Sequence, residues 1–337
     1  MPGSIFVRLA RWVGTVGAVA CALSAQVLPA AAAPIEVKTD FVFIIDATSS
    51  MAGEIAGVRN GFAGFVAGLN ADPNVVVDAR FAVVVFGGLP ELILDFTSDT
   101  TLVQARLNAV TIGANPGIQN NHNVNPEAGL EAIRMVLGAA PDSELANNNI
   151  PEDGFLNFRN DARKNLILAT DEDSDLPFQA VNRQAGQTTT DPPGVLTPAW
   201  QAEVDATAQA AIRSGAFLNM LVNRGDTPSA SQYGDYLKDV SDPDLLNFDE
   251  VATLAALQAD PATANSLQAQ VLAAGLIART FNITGANDPD FVNNFFAAKV
   301  QEVTTDPGPD PVPEPGTFGL LGAGVLAWFV TVRRRRA

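Results

Sequence analysis

The chain has 337 residues, with 37 acidic against 20 basic side chains and a formal charge of −17. Removing the two basic residues of 1–33, and the four basic and one acidic residue of 312–337, leaves 14 basic against 36 acidic in residues 34–311, a formal charge of −22. A surface so acidic repels nucleic-acid phosphates and attracts cations, and no Lys- or Arg-rich patch survives in it, so nucleic acid is excluded as a partner.

Residues 1–33 read as a secretory signal peptide. Arg8 and Arg11 supply the positive start, Trp12 to Leu28 is apolar and small, and Ala30 to Ala33 offers an A-x-A-like cleavage site. The only cysteine, Cys21, lies inside this segment, so the exported chain has no disulfide. Ala18 stands where a Leu normally precedes a lipidated Cys by three, which argues against a lipoprotein.

The body begins with Phe41-Val-Phe-Ile-Ile-Asp46, an apolar run of the kind that forms a strand buried on both faces. It ends on a carboxylate, and the hydroxyls of Thr48 and Ser50 follow at two-residue spacing. Residues just past such a strand sit at the ligand-binding edge of an open α/β sheet. One hard carboxylate and two hydroxyls from one tight loop suit a hard divalent cation that keeps some of its waters. The alternative is a turn whose Ser or Thr caps the next helix. That helix is expected over 54–69, where Ile55, Val58, Phe62, Phe65, Val66 and Leu69 share one side.

Arg80 to Phe86 and Glu91 to Phe96, separated by Gly87-Gly88-Leu89-Pro90, predict a hairpin and hence one antiparallel edge strand. A short helix is expected over 101–110, and another over 126–137 with Pro126 in its first turn. Between them lies the Asn-rich stretch Gln119 to Asn125, holding the sole histidine, His122, which reads as an exposed loop residue. Lys164 to Thr170 is a second apolar strand ending on a carboxylate, in Asp171-Glu-Asp173-Ser-Asp175. That acidic run also admits a solvated loop or a private calcium loop. An EF-hand is excluded, because the sixth position is not Gly and the twelfth, Asn182, is not Glu.

A helix over 198–214, strands over 216–222 and 277–283, and an amphipathic helix over 290–303 complete the body. Strands alternating with helices predict an α/β fold, a doubly wound and mostly parallel sheet with helices on both faces. Stretches near 141–163, 175–197 and 225–275 read as long inserted loops. No internal repeats are present.

At the C-terminus, residues 305–315 form a Pro-rich linker that is extended rather than helical. Gly316 to Val332 is 17 uncharged, mostly apolar residues, short for a transmembrane segment, and Arg333, Arg334, Arg335 and Arg336 should stay cytoplasmic.

Two resemblances follow from these residues. The D-x-[ST]-x-S pattern of Asp46, Thr48 and Ser50 resembles the metal-ion-dependent adhesion site (MIDAS) of von Willebrand factor A (VWA) domains, and the order of elements over 34–304 is similar to that fold. The resemblance implies a second acidic ligand at Asp171, with Asp173 and Asp175 as additional candidates. VWA domains contribute a Thr or Asp from a third loop, before a helix. Here that position falls on Asn123 or Asn125, whose amide oxygens suit Mg²⁺ or Ca²⁺, with Glu127 as another candidate. Mg²⁺ is the cation expected first, with Ca²⁺ and Mn²⁺ compatible. The implied function is adhesion, with an acidic protein or exopolysaccharide ligand completing the cation's shell.

The second resemblance lies in residues 312–337. Pro313-Glu314-Pro315, a Gly-rich apolar segment and the terminal Arg cluster resemble a PEP-CTERM sorting signal. It implies anchoring in the inner membrane, processing by an exosortase-type enzyme, and a destination in the cell envelope, on the surface or in the extracellular matrix.

A structural matrix protein with a fold-stabilising metal is the alternative. A hydrolase is not expected: a haloacid-dehalogenase-like phosphatase carries an acid two residues after its nucleophilic Asp, where this chain has Thr48, which lacks the pKa for proton transfer.

Overall fold

Two long parallel strands, β1 (Ile35–Asp46) and β2 (Val75–Phe86), pair side by side in the sheet. The computed structural model describes residues 34–87, 90–113, 128–139, 156–170, 174, 198–222, 250–261, 263–282 and 289–305. The remaining strands are β3 (Glu91–Thr97), β4 (Arg163–Thr170), β5 (Ala216–Val222) and β6 (Ala278–Asn282). The order across the sheet is β3-β2-β1-β4-β5-β6. Among the described strands only β3 is antiparallel, as the hairpin signal predicts.

β1 explains the architecture. From Phe41 to Asp46 every residue is buried, so the strand has apolar layers on both faces. Phe41, Phe43 and Ile45 face helices α1 (Ala52–Leu69), α2 (Thr100–Ala109) and α7 (Pro289–Thr305). Phe41, Phe65 and Phe81 meet there in stacked and edge-on pairs at 5.1–6.4 Å, and Phe296 of α7 stacks on Phe65 at 4.7 Å. Val42 and Ile44 face α3 (Gly129–Val136), α4 (Pro198–Ser214), α5 (Glu250–Ala259) and α6 (Leu267–Ala273). These alternating contacts are the period-two geometry of a strand.

The structure departs from the sequence expectations in three places. The expected insert at 225–275 contains α5 and α6, which bury Leu257, Leu267, Val271 and Leu272 against the second layer. Alanine-rich sequence is a good helix former, and tertiary packing supplies what weak amphipathicity does not signal. Helix α3 starts at Gly129 rather than Pro126, with Ala128 in the non-helical N-cap position. The first two strands extend six and five residues further toward their N-termini than the apolar runs indicate, because residues 35–40 pair with 75–80 in continuous register.

Two of the buried ionic groups among the described residues, centred on Asp40 and Lys299, lie away from the C-terminal strand ends. Asp40, fully buried on β1, accepts from Arg80 Nε and Nη2 at 3.0 and 2.7 Å, and from the backbone N–H and Nε of Arg159 at 2.8 and 3.0 Å. On α7, buried Lys299 donates to Glu302, which also pairs with Arg279 of β6 at 3.0 Å. Among the described residues no helix is long and apolar enough to cross a membrane. The expected signal peptide (1–33), residues 306–315 of the expected linker and the 316–332 span lie outside them, while Thr305, the first residue of that linker, ends α7.

Candidate functional site

The loop after β1 is fastened on both sides before any ligand is considered. The Ala47 N–H donates to Phe86 O at the end of β2, and Ala47 O accepts from the Gly113 N–H, both at 2.8 Å. Gly113 has φ of +76°, a left-handed conformation that glycine adopts without a Cβ clash. Its neighbourhood is held by Arg59 of α1, which donates to Leu107 O at 3.2 Å and to Val110 O, at the C-terminal end of α2 where a cation is favoured.

Asp46 is the last residue of β1 and is fully buried. Its Oδ1 accepts from the Thr48 N–H at 2.8 Å, and its Oδ2 accepts from the Thr170 hydroxyl at 3.0 Å. Thr170 ends β4, whose register places Ala169 beside Ile45. The ends of β1 and β4 are therefore joined side chain to side chain, on neighbouring strands as the VWA resemblance implies.

The hydroxyls of Thr48 and Ser50 lie 3.3 Å apart. Thr48 occupies the N-cap of the short 3₁₀ turn Ser49–Met51 but makes no side-chain capping bond, and α1 is preceded by Met51, which has none either. The helix-cap alternative therefore fails: these hydroxyls face each other and not the orphan N–H groups of the helix. Thr48 is 4% exposed and Ser50 is open to solvent, so the loop runs from a buried carboxylate to an accessible oxygen.

The acidic run after β4 contributes a residue that its charges conceal. Ser174, 1% exposed, accepts the Leu130 N–H on its Oγ at 3.0 Å, in the first turn of α3. Ala128 cannot cap that helix, so a serine 44 positions away satisfies one of its N-terminal donors. The buried Thr207 hydroxyl of α4 lies 3.3 Å from Leu130 O on the other side and accepts from Arg134 at 2.9 Å. Sequence reading passed over Thr170 and Ser174. The only signal for either was its position, immediately before and within the acidic run.

Of the sequence-predicted ligands, Asp46, Thr48 and Ser50 come together. Asp171, Asp173, Asp175, Asn123, Asn125 and Glu127 lie outside the described residues, as does His122. Among the described residues no three His, Cys, Asp or Glu side chains converge as a metal centre. What the described residues offer is one carboxylate and two hydroxyls, hard oxygen donors that fit Mg²⁺ or Ca²⁺ and not a soft thiolate-binding metal.

Residues 311–336 match the PEP-CTERM protein-sorting motif. The C-terminus is a PEP-CTERM sorting signal. That signal, which includes Pro313, Glu314, Pro315 and Arg333 to Arg336, implies processing by an exosortase and export to the cell envelope or surface. No curated protein matches the chain.

Similar solved structures include an aerotolerance-related membrane protein from Bacteroides fragilis NCTC 9343 carrying multiple mutations to serines. It is 11% identical, with 77% of this chain and 98% of that one covered and a TM-score of 0.34. Proximal thread matrix protein 1 from the mussel byssus is 14% identical, with 57% and 37% covered and a TM-score of 0.31. The VWA-like fold rests on the chain's own sheet: among the described residues, six strands ordered 3-2-1-4-5-6, one antiparallel edge, and helices on both faces.

Proposed function

We propose that this protein is an exported envelope or matrix binding module, delivered by its N-terminal signal peptide, which uses a MIDAS-like divalent cation to engage an acidic ligand. The observation that carries the reading is the Thr48–Ser50 hydroxyl pair, 3.3 Å apart beside the buried Asp46 and not used in capping a helix. Asp46, Thr48 and Ser50 would hold the cation, with Asp171 and an amide oxygen from Asn123 or Asn125 as the ligands that the VWA resemblance implies. The cation supplies a positive centre that a carboxylate from the partner can complete, which reconciles a domain of charge −22 with an acidic protein or exopolysaccharide ligand. The role is binding rather than catalysis, since Thr48 stands where a phosphatase of this geometry needs a proton-transferring acid.

The test is thermal unfolding of the purified full chain during titration with Mg²⁺, Mn²⁺ or Ca²⁺. A ligand that binds only the folded state raises stability by about 2.7 kcal/mol at a hundredfold excess over its Kd. Asp46→Asn and Ser50→Ala should each suppress the rise in Tm. A wild-type Tm indifferent to all three ions ends the proposal. The full burial of Asp46, with both oxygens hydrogen-bonded inside the fold, favours the structural-metal alternative as a second reading. Retention on native exopolysaccharide distinguishes them: EDTA releases an adhesion module and leaves a structural protein bound.

A further inference from the structure

We infer that the cleft between α3 and α4 is a further binding site, for an uncharged, hydroxyl-rich sugar unit, and that it works without a cation. The cleft has a volume of about 410 Å³ and is lined by Arg134, Ala139, Asp205, Ala206, Gln209 and Arg213. Small-molecule sites occupy roughly 300–1,000 Å³. Asp205, Gln209 and Arg213 follow at four-residue spacing on α4, so a carboxylate, an amide and a guanidinium share one face. Each lies about 6 Å along the helix axis from the next.

The wall of the cleft is fixed, while these three groups keep free hydrogen-bonding capacity. Arg134, 8% exposed, pairs with Glu203 and donates to Thr207 Oγ1 at 2.9 Å. Asp205 Oδ1 accepts from Gln201 Nε2 at 2.7 Å and from Gln270 Nε2 of α6 at 2.8 Å, which orients the carboxylate. Among the described residues Asp205 Oδ2, the Gln209 amide and the Arg213 guanidinium make no hydrogen bond or ion pair.

The charge pattern selects the ligand. Glu203 offsets Arg134, which leaves Asp205 toward one end of the cleft and Arg213 toward the other. An anion gains from Arg213 but is repelled by Asp205 and by the body's charge of −22. A cation gains from Asp205 and is repelled by Arg213. Hydroxyls meet neither penalty, because each is donor and acceptor at once: one donates to Asp205, another accepts from Arg213, and the Gln209 amide serves either. The Arg213 end lies toward the opposite edge of the sheet from Asp46. Ser214 O, at the end of α4, accepts from Lys164 at the start of β4 at 3.0 Å, whereas Asp46 ends the parallel strand β1.

Saturation-transfer difference NMR on the full chain in EDTA tests the site. The neutral probes are glucose, galactose, mannose and N-acetylglucosamine, and glucuronate is the anionic one. At least one neutral probe should give a saturable signal. Arg213→Ala should raise its apparent Kd about tenfold and Gln209→Ala about threefold, the scale of a hydrogen bond to a charged and to a neutral group. Neither side chain has a partner within the described fold, so both variants should keep the wild-type Tm. On native exopolysaccharide, retention that survives EDTA and is lost in Arg213→Ala belongs to this cleft.

No signal from any neutral probe overturns the inference, as does a neutral-probe Kd unchanged in Arg213→Ala. Glucuronate binding more tightly than every neutral probe also overturns it, because Arg213 is then an anion site. With EDTA present throughout, the cation-site reading can fail without touching this result.

Discussion

The hydroxyl of Thr170 donates to Oδ2 of Asp46 at 3.0 Å, joining the last residues of two adjacent parallel strands where both are fully buried. The bond turns two carboxy-terminal strand ends into one unit and aims the Asp46 carboxylate from the side opposite Thr48.

Thr170→Val keeps the shape of the side chain and removes the donor. Leaving a buried carboxylate oxygen without it costs about 1–3 kcal/mol, read as a lower midpoint in urea unfolding. If Asp46 holds a cation as proposed, the same variant should bind Mn²⁺ about tenfold more weakly, because a group orienting a ligand is lost. Unchanged stability would show that Asp46 does not depend on this contact.

Asp40 balances two arginines, Arg80 and Arg159, in a group that ties β1, β2 and the segment before β4. Asp40→Ala removes the shared partner of both cations and should cost about 3–5 kcal/mol. Asp40→Asn, which retains an acceptor, should lose less. Urea unfolding of the two variants checks the ranking.

Burial pushes the Lys299 ammonium down to about 8 from its ordinary 10.5, against the opposing pull of Glu302, while the nearby Arg279 and Arg163 lower it further. The folded state thus releases this proton more readily than the unfolded chain. Below pH 8 both states hold the proton and the contribution is constant. Between pH 8 and 10.5 the unfolded state holds more, so stability rises with pH, by up to about 3 kcal/mol from this group. Urea unfolding at pH 7.5 and pH 10 should show that rise in the wild type and a flatter response in Lys299→Met. Equal slopes in the two proteins would remove Lys299 as its source.

Helix α1 approaches α7 through Gly68, where an added Cβ would stand 2.8 Å from Cγ2 of Val300. A valine in a helix has one strongly preferred rotamer and yields little. Gly68→Ala should therefore destabilise the protein, the overpacking cost of about 1–3 kcal/mol outweighing a gain of about 1 kcal/mol in helix propensity. Gly64, one turn earlier, has nothing within 4 Å of the same added atom, so Gly64→Ala should stabilise by about 1 kcal/mol. Adding Val300→Ala to Gly68→Ala should recover part of the loss, and thermal melts of the set decide it.

Much of the fold was legible because its signals are local. The apolar run ending at Asp46, the Gly87–Pro90 turn and the alternation of strands with helices all act over a few residues, and the observed sheet follows them. Helices α5 and α6 were not legible. Their stretch lacks a clear apolar stripe, and its buried leucines acquire meaning only against the layer they cover. The position of α3 was displaced for a similar reason: Pro126 is a good local start, but the helix begins where Ser174, from a distant loop, caps it.

By itself, the sequence determined the charge of the body, the C-terminal sorting signal, the α/β class and the grouping of Asp46, Thr48 and Ser50 on one loop. Each of these is a property of composition or of neighbours within a few residues. Only the tertiary structure decided that the two hydroxyls face each other instead of capping a helix, that Thr170 grips Asp46, and that Ser174 docks on Leu130. The last two of these contacts join residues 124 and 44 positions apart, and folding alone brings their atoms within hydrogen-bonding distance.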